Sequence, residues 1–325
     1  MKSLTLRWTS LPLALAGFSL PLHALSSPWF ETPQGRVRLL SAWKAAPQEL
    51  VDPRLGLEFE LQPGWHVYWK NPGDAGYAPV LEAIPPTDLE AVRLRYPAPQ
   101  RFLLPGGLEA IGYEDTVVYP LEAALRPQGG ATSPIRLRLE YLICADTCIP
   151  YRAELGLELP RGQPVEDLEL GALLSRWEAR VPIPLEKLSP PLQVSLTSRP
   201  ATHRSFELFL RFSAPSLRLL TPDLFLEPLE GWEASRAKLH YEPEGPAFRI
   251  ELRPLEERPL PEQLPWTLTG IELAGRLVAV EGRSVLSPPA SKVAWRPRWA
   301  LAVVAAGLLL AALGWILARS RRQSA

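Results

Sequence analysis

The sequence predicts a mainly β protein of two immunoglobulin-like sandwich domains followed by a single membrane-spanning helix. Three observations predict it. Short stretches alternate apolar and polar residues, as strands with one wet face do. Proline and glycine, 37 and 21 of 325 residues, punctuate them too often for long helices. An uncharged apolar run, WALAVVAAGLLLAALGWIL, then occupies Trp299 to Leu317.

The chain opens with Lys2 and Arg7 ahead of an apolar run from Leu11 to Leu20, with small residues near Ala24. This is the pattern of a secretory signal over residues 1–24, too short to span a bilayer comfortably. Residues 25–160 read as the first sandwich. Strands are expected at 36–45, 55–61, 65–69, 92–96, 116–125, 135–143 and 152–159, most with alternating character. NPGDAG at 71–76 and PGG at 105–107 have the turn chemistry to reverse the chain between them.

Residues 161–190 change character and read as a connector, with LELGALLSRWEARV the one convincing soluble helix. Alternation resumes over 191–285, with strands expected at 192–198, 205–212, 237–242, 248–255, 265–273 and 276–282. This second sandwich holds no cysteine. A stalk over 286–298 leads to the membrane helix at 299–317, whose Trp299 and Trp315 suit the water–lipid interface. Lys292, Arg296 and Arg298 balance Arg319, Arg321 and Arg322, so charge alone does not orient the helix. The signal does: the bulk of the chain is expected on the periplasmic side of the inner membrane, with 318–325 as a cytoplasmic tail.

The 35 basic and 35 acidic residues cancel, and no basic cluster stands out in the exported part. Nucleic-acid binding through a phosphate-neutralising patch is therefore not expected. No Ser-His-Asp order, paired catalytic carboxylates or phosphate-cradling loop appears, and no cofactor is expected.

The only two cysteines, Cys144 and Cys148, sit together in EYLICADTCIPY. Export would favour their pairing. As a staple the bond is weak, because closing a loop of about five residues contributes about 2 kcal/mol against nearer 5 for a hundred. A short loop favours reversible exchange instead, since each sulfur stays beside the other after reduction. Exchange needs access and a thiolate; Asp146 would oppose one, and Arg152 is the nearest cation in sequence. Spacing alone leaves a structural brace and a redox pair equally open, and it is not the CxxC of thioredoxin. Metal handling is a third reading, for which His66 would have to join the two thiolates; no metal site is expected. His66 reads more simply as a strand residue. Trp65, Tyr68 and Trp69 read as packing, with Pro72, Gly73, Asp74 and Gly76 making a turn.

Four blocks, GWHVYWKNPGDAG (64–76), YPAPQRF (96–102), IGYEDTVVYPL (111–121) and YLICADTCIP (141–150), resemble in order and spacing the amino-terminal periplasmic domain of the thiol:disulfide interchange protein DsbD, and still more that of its relative ScsB. The likeness covers about Val37 to Pro160, and the region after Pro190 is similar to the second β-domain of ScsB-like proteins. The resemblance implies that Cys144 and Cys148 receive electrons and pass them to oxidised periplasmic proteins. Cys148 would join the client in a mixed disulfide and Cys144 would resolve it. A cap loop near Phe102 to Gly107 would shield the pair, with Phe102 as its lid. One membrane helix without cysteine cannot move electrons by dithiol exchange. The implied donor is a separate membrane thiol reductase of the CcdA type or a thioredoxin-like protein, and the clients are exported disulfide proteins. A non-catalytic partner-binding module and a copper-tolerance protein are the alternatives.

Overall fold

Side chains that alternate in the sequence alternate in burial. In the strand Cys148–Pro160, Ala153, Leu155, Leu157 and Leu159 face inward while Arg152, Glu154 and Glu158 face water. The computed structural model describes residues 25–46, 52–126, 128–163, 165–202, 205–243 and 245–286. The expected signal, His203, and everything expected beyond residue 286, including the membrane helix and tail, lie outside the described residues. Among the described residues no helix is long and apolar enough to cross a membrane.

The first eleven strands are β1 (Phe30–Thr32), β2 (Gly35–Ser41), β3 (Leu55–Leu61), β4 (His66–Gly73), β5 (Val80–Ala83), β6 (Leu89–Leu94), β7 (Gln100–Leu103), β8 (Glu109–Glu114), β9 (Thr116–Leu125), β10 (Thr132–Cys144) and β11 (Cys148–Pro160). They form one sheet in the order β1-β2-β3-β9-β6 and another in the order β11-β10-β4-β8-β7, with β5 on β10. Leu39, Leu57 and Phe59 from the first sheet and Trp69, Leu137 and Tyr141 from the second share one core, so the two sheets close as a sandwich.

Helix α1 (Leu168–Glu178) starts where the Asp167 carboxylate accepts from the backbone N–H of Glu169 and Leu170, both at 3.0 Å. Its Leu174 and Trp177 belong to the first core. The expected helix ran to Val181, but Ala179 caps it and the chain turns out.

Nine further strands follow: β12 (Ile183–Pro184), β13 (Gln193–Thr202), β14 (Ser205–Ser213), β15 (Leu217–Leu226), β16 (Trp232–Ala234), β17 (Lys238–Glu242), β18 (Gly245–Pro254), β19 (Gln263–Leu273) and β20 (Arg276–Val285). Two sheets, β12-β20-β19-β15 and β13-β14-β18-β16 with β17 on β18, enclose a second core around Trp266, Leu210 and Ile250.

Several expectations are corrected. The first strand expected, 36–45, ends at Ser41, because residues 42–46 bend away and make only isolated bridges. Eleven strands precede the helix rather than seven: β1, β5 and β7 are too short to show a period, and β8 (six residues) was not expected either. β15 was not expected at all. Pro222 interrupts its alternation, and the β15–β19 register shifts between Leu219 and Asp223. Gly270 allows this from the partner strand: its φ of +66° is left-handed, and a Cβ there would collide with the Thr221 carbonyl.

The overlooked strand holds the two cores together. Phe225 of β15 is 1% exposed and packs in the first core, edge-on to Trp69 of β4 with ring centres 5.8 Å apart. Around it, Asn71 Nδ2 donates to the Leu226 carbonyl at 2.7 Å, and Lys70 pairs with Glu227 and Glu281. Arg101 of β7 lies over the Phe225 ring at 4.4 Å, pairs with Asp223 at 2.7 Å and donates to the Leu224 carbonyl at 2.8 Å.

Candidate functional site

β10 and β11 form a hairpin whose register runs unbroken from Thr132↔Pro160 to Cys144↔Cys148. The cysteines are its last rung before the loop Ala145–Thr147, where the Ala145 N–H donates to the Thr147 carbonyl at 3.1 Å. They are joined by a disulfide with Cα atoms 4.2 Å apart. Far down the hairpin, Asp88 accepts from Ser133 Oγ, buried with it, and from the half-buried Arg161, which anchors the opposite end. The disulfide thus tips a long, firmly held ribbon, and its two sulfurs are unequal. Cys144 is fully buried, whereas Cys148 is exposed.

Strand β4 lies beside β10 with His66 directly opposite Cys144. Opposed residues of an antiparallel pair put their side chains on one face, with Cβ atoms about 5 Å apart. His66 and Tyr68, two apart, share that face. Tyr68 is fully buried, and its hydroxyl lies 3.4 Å from Cys148 Sγ. A disulfide sulfur has no proton, so the phenol is the donor. Burial pushes the Tyr68 pKa up, which keeps that proton in place. The Tyr119 hydroxyl donates to the Tyr68 carbonyl at 2.9 Å and fixes β4 from the core side. Gly76, at φ +96°, lies against the Tyr68 ring, where a Cβ would collide with it.

Phe102 stacks on His66 with ring centres 5.3 Å apart, and His66 meets Tyr68 edge-on at 5.2 Å. With Leu104, Phe102 packs against a small cluster of Tyr68, Ala110, Leu142 and Cys144, separate from the two main cores. The chain then turns at Pro105–Gly107, where Gly106 and Gly107 both have φ of +82°.

His66 is 2% exposed, and its Nε2 meets no hydrogen-bond partner. Burial lowers its pKa, so the imidazole is neutral near pH 7.

The structure therefore brings together Cys144, Cys148 and Phe102, and adds His66, Tyr68 and Leu104. Arg152 is not at the pair: it faces Glu140 across the hairpin, 2.7 Å away and in water. Asp146 is exposed at the loop tip. Among the described residues no group of three or more His, Cys, Asp or Glu side chains is placed to hold a metal ion. Reading Tyr68 as packing missed its contact with sulfur. The signal was the two-residue spacing of His66 and Tyr68, which puts both on one face.

The profile of the family described as thiol:disulfide interchange protein DsbD, N-terminal, matches residues 36–160. The crystal structure of the N-terminal periplasmic domain of ScsB from Proteus mirabilis superposes with a TM-score of 0.62 at 19% identity, covering 81% of this chain and 98% of its own. At that identity the likeness is one of fold. The reduced N-terminal domain of DsbD from Neisseria meningitidis covers 40% of this chain and 88% of its own, at 13% identity and a TM-score of 0.24, too slight an overlap to bear on the argument. No curated protein matches the chain.

Proposed function

Residues 36–160 belong to the family of DsbD amino-terminal domains, and from that premise we propose that the chain is a thiol:disulfide relay station, reduced by one thiol protein and reducing another. The observation that carries the reading is the inequality of the two sulfurs, one buried under Phe102 and Leu104 and one exposed at a hairpin tip.

In the first half-cycle a donor thiolate attacks the exposed Cys148 sulfur, and Cys144 leaves with the electron pair. The donor's second thiol then breaks the mixed disulfide, and the pair is left as two thiols. In the second half-cycle the Cys148 thiolate attacks a client disulfide and expels one client thiolate. Cys144 attacks Cys148, the internal disulfide re-forms and the second client thiolate leaves. Two electrons pass from donor to client. The Tyr68 hydroxyl suits this cycle, since a donor beside Cys148 favours the thiolate over the thiol.

A membrane reductase of the CcdA type or a thioredoxin-like protein is the donor on this reading, and exported disulfide proteins are the clients. The leader 1–24 and the apolar segment 299–317 support placing the pair outside the inner membrane. Reduced Cys148 should then react with a membrane-impermeant maleimide in intact spheroplasts; labelling only after lysis would refute this placement.

Cys144→Ser tests the relay itself. The variant is expected to accumulate clients bound through Cys148, resolvable as thiol-sensitive adducts, while Cys148→Ser accumulates none. If a partner bound equally well to the chain lacking both cysteines, the disulfide would be a brace and the relay reading would fail.

A further inference from the structure

The buried sulfur poses a chemical problem of its own. To resolve a mixed disulfide, Cys144 must first lose a proton. Yet it is fully buried among Tyr68, Ala110, Leu142, Phe102 and Leu104, surroundings that favour the thiol. Water has little access, and the nearest cation in sequence, Arg152, is engaged by Glu140.

One basic group faces it. Across three adjacent strands, Cys144 of β10, His66 of β4 and Glu114 of β8 are successive partners in a single row. We infer that His66 is the proton acceptor for Cys144 in the resolving step. Its Nε2 is buried and unpartnered, a costly arrangement for a ring nitrogen that would otherwise find a donor or water. The groups around it leave this role to it alone. From β10 the titratable neighbour is Cys144; from its own strand it is Tyr68, which burial keeps protonated. From β8 it is Glu114, exposed at the end of the row, and from β7 it is none, since Gln100 and Phe102 lie on this face while Arg101 is bound to Asp223. Burial also keeps the imidazole in its basic form near neutral pH.

The step balances. The Cys144 thiol gives its proton to the imidazole, and the resulting thiolate attacks Cys148 Sγ. The internal disulfide forms, the client thiolate departs with the electron pair, and the imidazolium returns its proton to solvent.

This inference deepens the relay reading and rests on it for the direction of exchange, but its test needs no protein partner. The full chain, reduced, is mixed with 5,5′-dithiobis(2-nitrobenzoate). Attack by Cys148 releases a first coloured thiolate, and resolution by Cys144 releases a second. In the wild-type chain the second phase is expected to be flat across neutral pH. In His66→Gln it should be slower by about a hundredfold at pH 7. It should also climb about tenfold per pH unit, as a thiol without a base does below its pKa. The first phase reports attack by Cys148 in each chain, and the second phase is compared as its ratio to the first. An unchanged second phase, in rate and in pH profile, would overturn the inference.

A measurement on an intact His66 guards against a variant that does not fold. The imidazole proton resonances of His66 are titrated in the reduced wild-type chain and in Cys144→Ser. A shifted midpoint is expected, because the thiol and the ring share a proton; identical curves overturn the proposal. An assisted second phase in a chain that exchanges with no thioredoxin-like protein would sink the relay and leave His66 its role.

Discussion

Tyr68 meets Cys148 with its only polar side-chain atom, and that contact has a measurable sign. A hydrogen bond to a charged acceptor is worth about 1.5 to 3 kcal/mol, and one pKa unit is about 1.4 kcal/mol. Tyr68→Phe, made in Cys144→Ser, should therefore raise the Cys148 pKa by about one to two units. The pH dependence of its alkylation by iodoacetamide reads this directly. His66 makes a second prediction at the same scale. Its pKa is lowered by burial from the ordinary 6.5, so the unfolded chain takes up the proton first as pH falls. The neutral buried imidazole is accommodated fully above that value. Stability is lost progressively below it, down through the lower folded pKa. Urea midpoints at pH 7 and pH 5 should fall more for the wild-type chain than for His66→Gln, and equal falls would refute the linkage.

At the scale of elements, the segment that packs on Cys144 is the end of a four-residue strand, β7, and the glycine turn after it. Phe102 is held there by its ring contact with His66, worth about 1 kcal/mol. Phe102→Ala should accelerate reduction of the disulfide by dithiothreitol about fivefold, the same energy read as a rate. A rate equal to wild type would show that Phe102 does not shield the disulfide. Elements were unevenly legible in the sequence. Strands β3 and β9 run over Leu55–Leu61 and Thr116–Leu125, as their alternation predicts. β1, β5 and β7 are too short to show a period, and Pro222 hides the period of β15. The cysteine pair was visible as spacing and Phe102 through a motif. The spacing of His66 and Tyr68 gave the face they share, but not that it lies beside the cysteines, which follows from which strand pairs with β10, and register between distant strands leaves no local trace.

Across the whole molecule, the contact between the two cores is a built interface. Phe225 fills a place in the first core, and Arg101, Lys70 and Asn71 surround it with charge and hydrogen bonds. Truncating a buried phenylalanine costs about 3 to 5 kcal/mol. Phe225→Ala should therefore loosen the coupling, so that a single calorimetric unfolding transition separates into two. A single transition at lower temperature would show that other contacts suffice to couple the halves.

Arg101 and Phe102 are neighbours on β7, one gripping the second half of the molecule and the other packing against the cluster that holds Cys144. Cutting the chain after residue 160 would strip Arg101 of Asp223 and the Leu224 carbonyl, and Trp69 of Phe225. A fragment prepared that way would keep both sulfurs and every motif that identifies them, yet lose the outer fixings of the strand that packs on Cys144. Its reactivity would describe a less firmly held β7 than that of the intact chain.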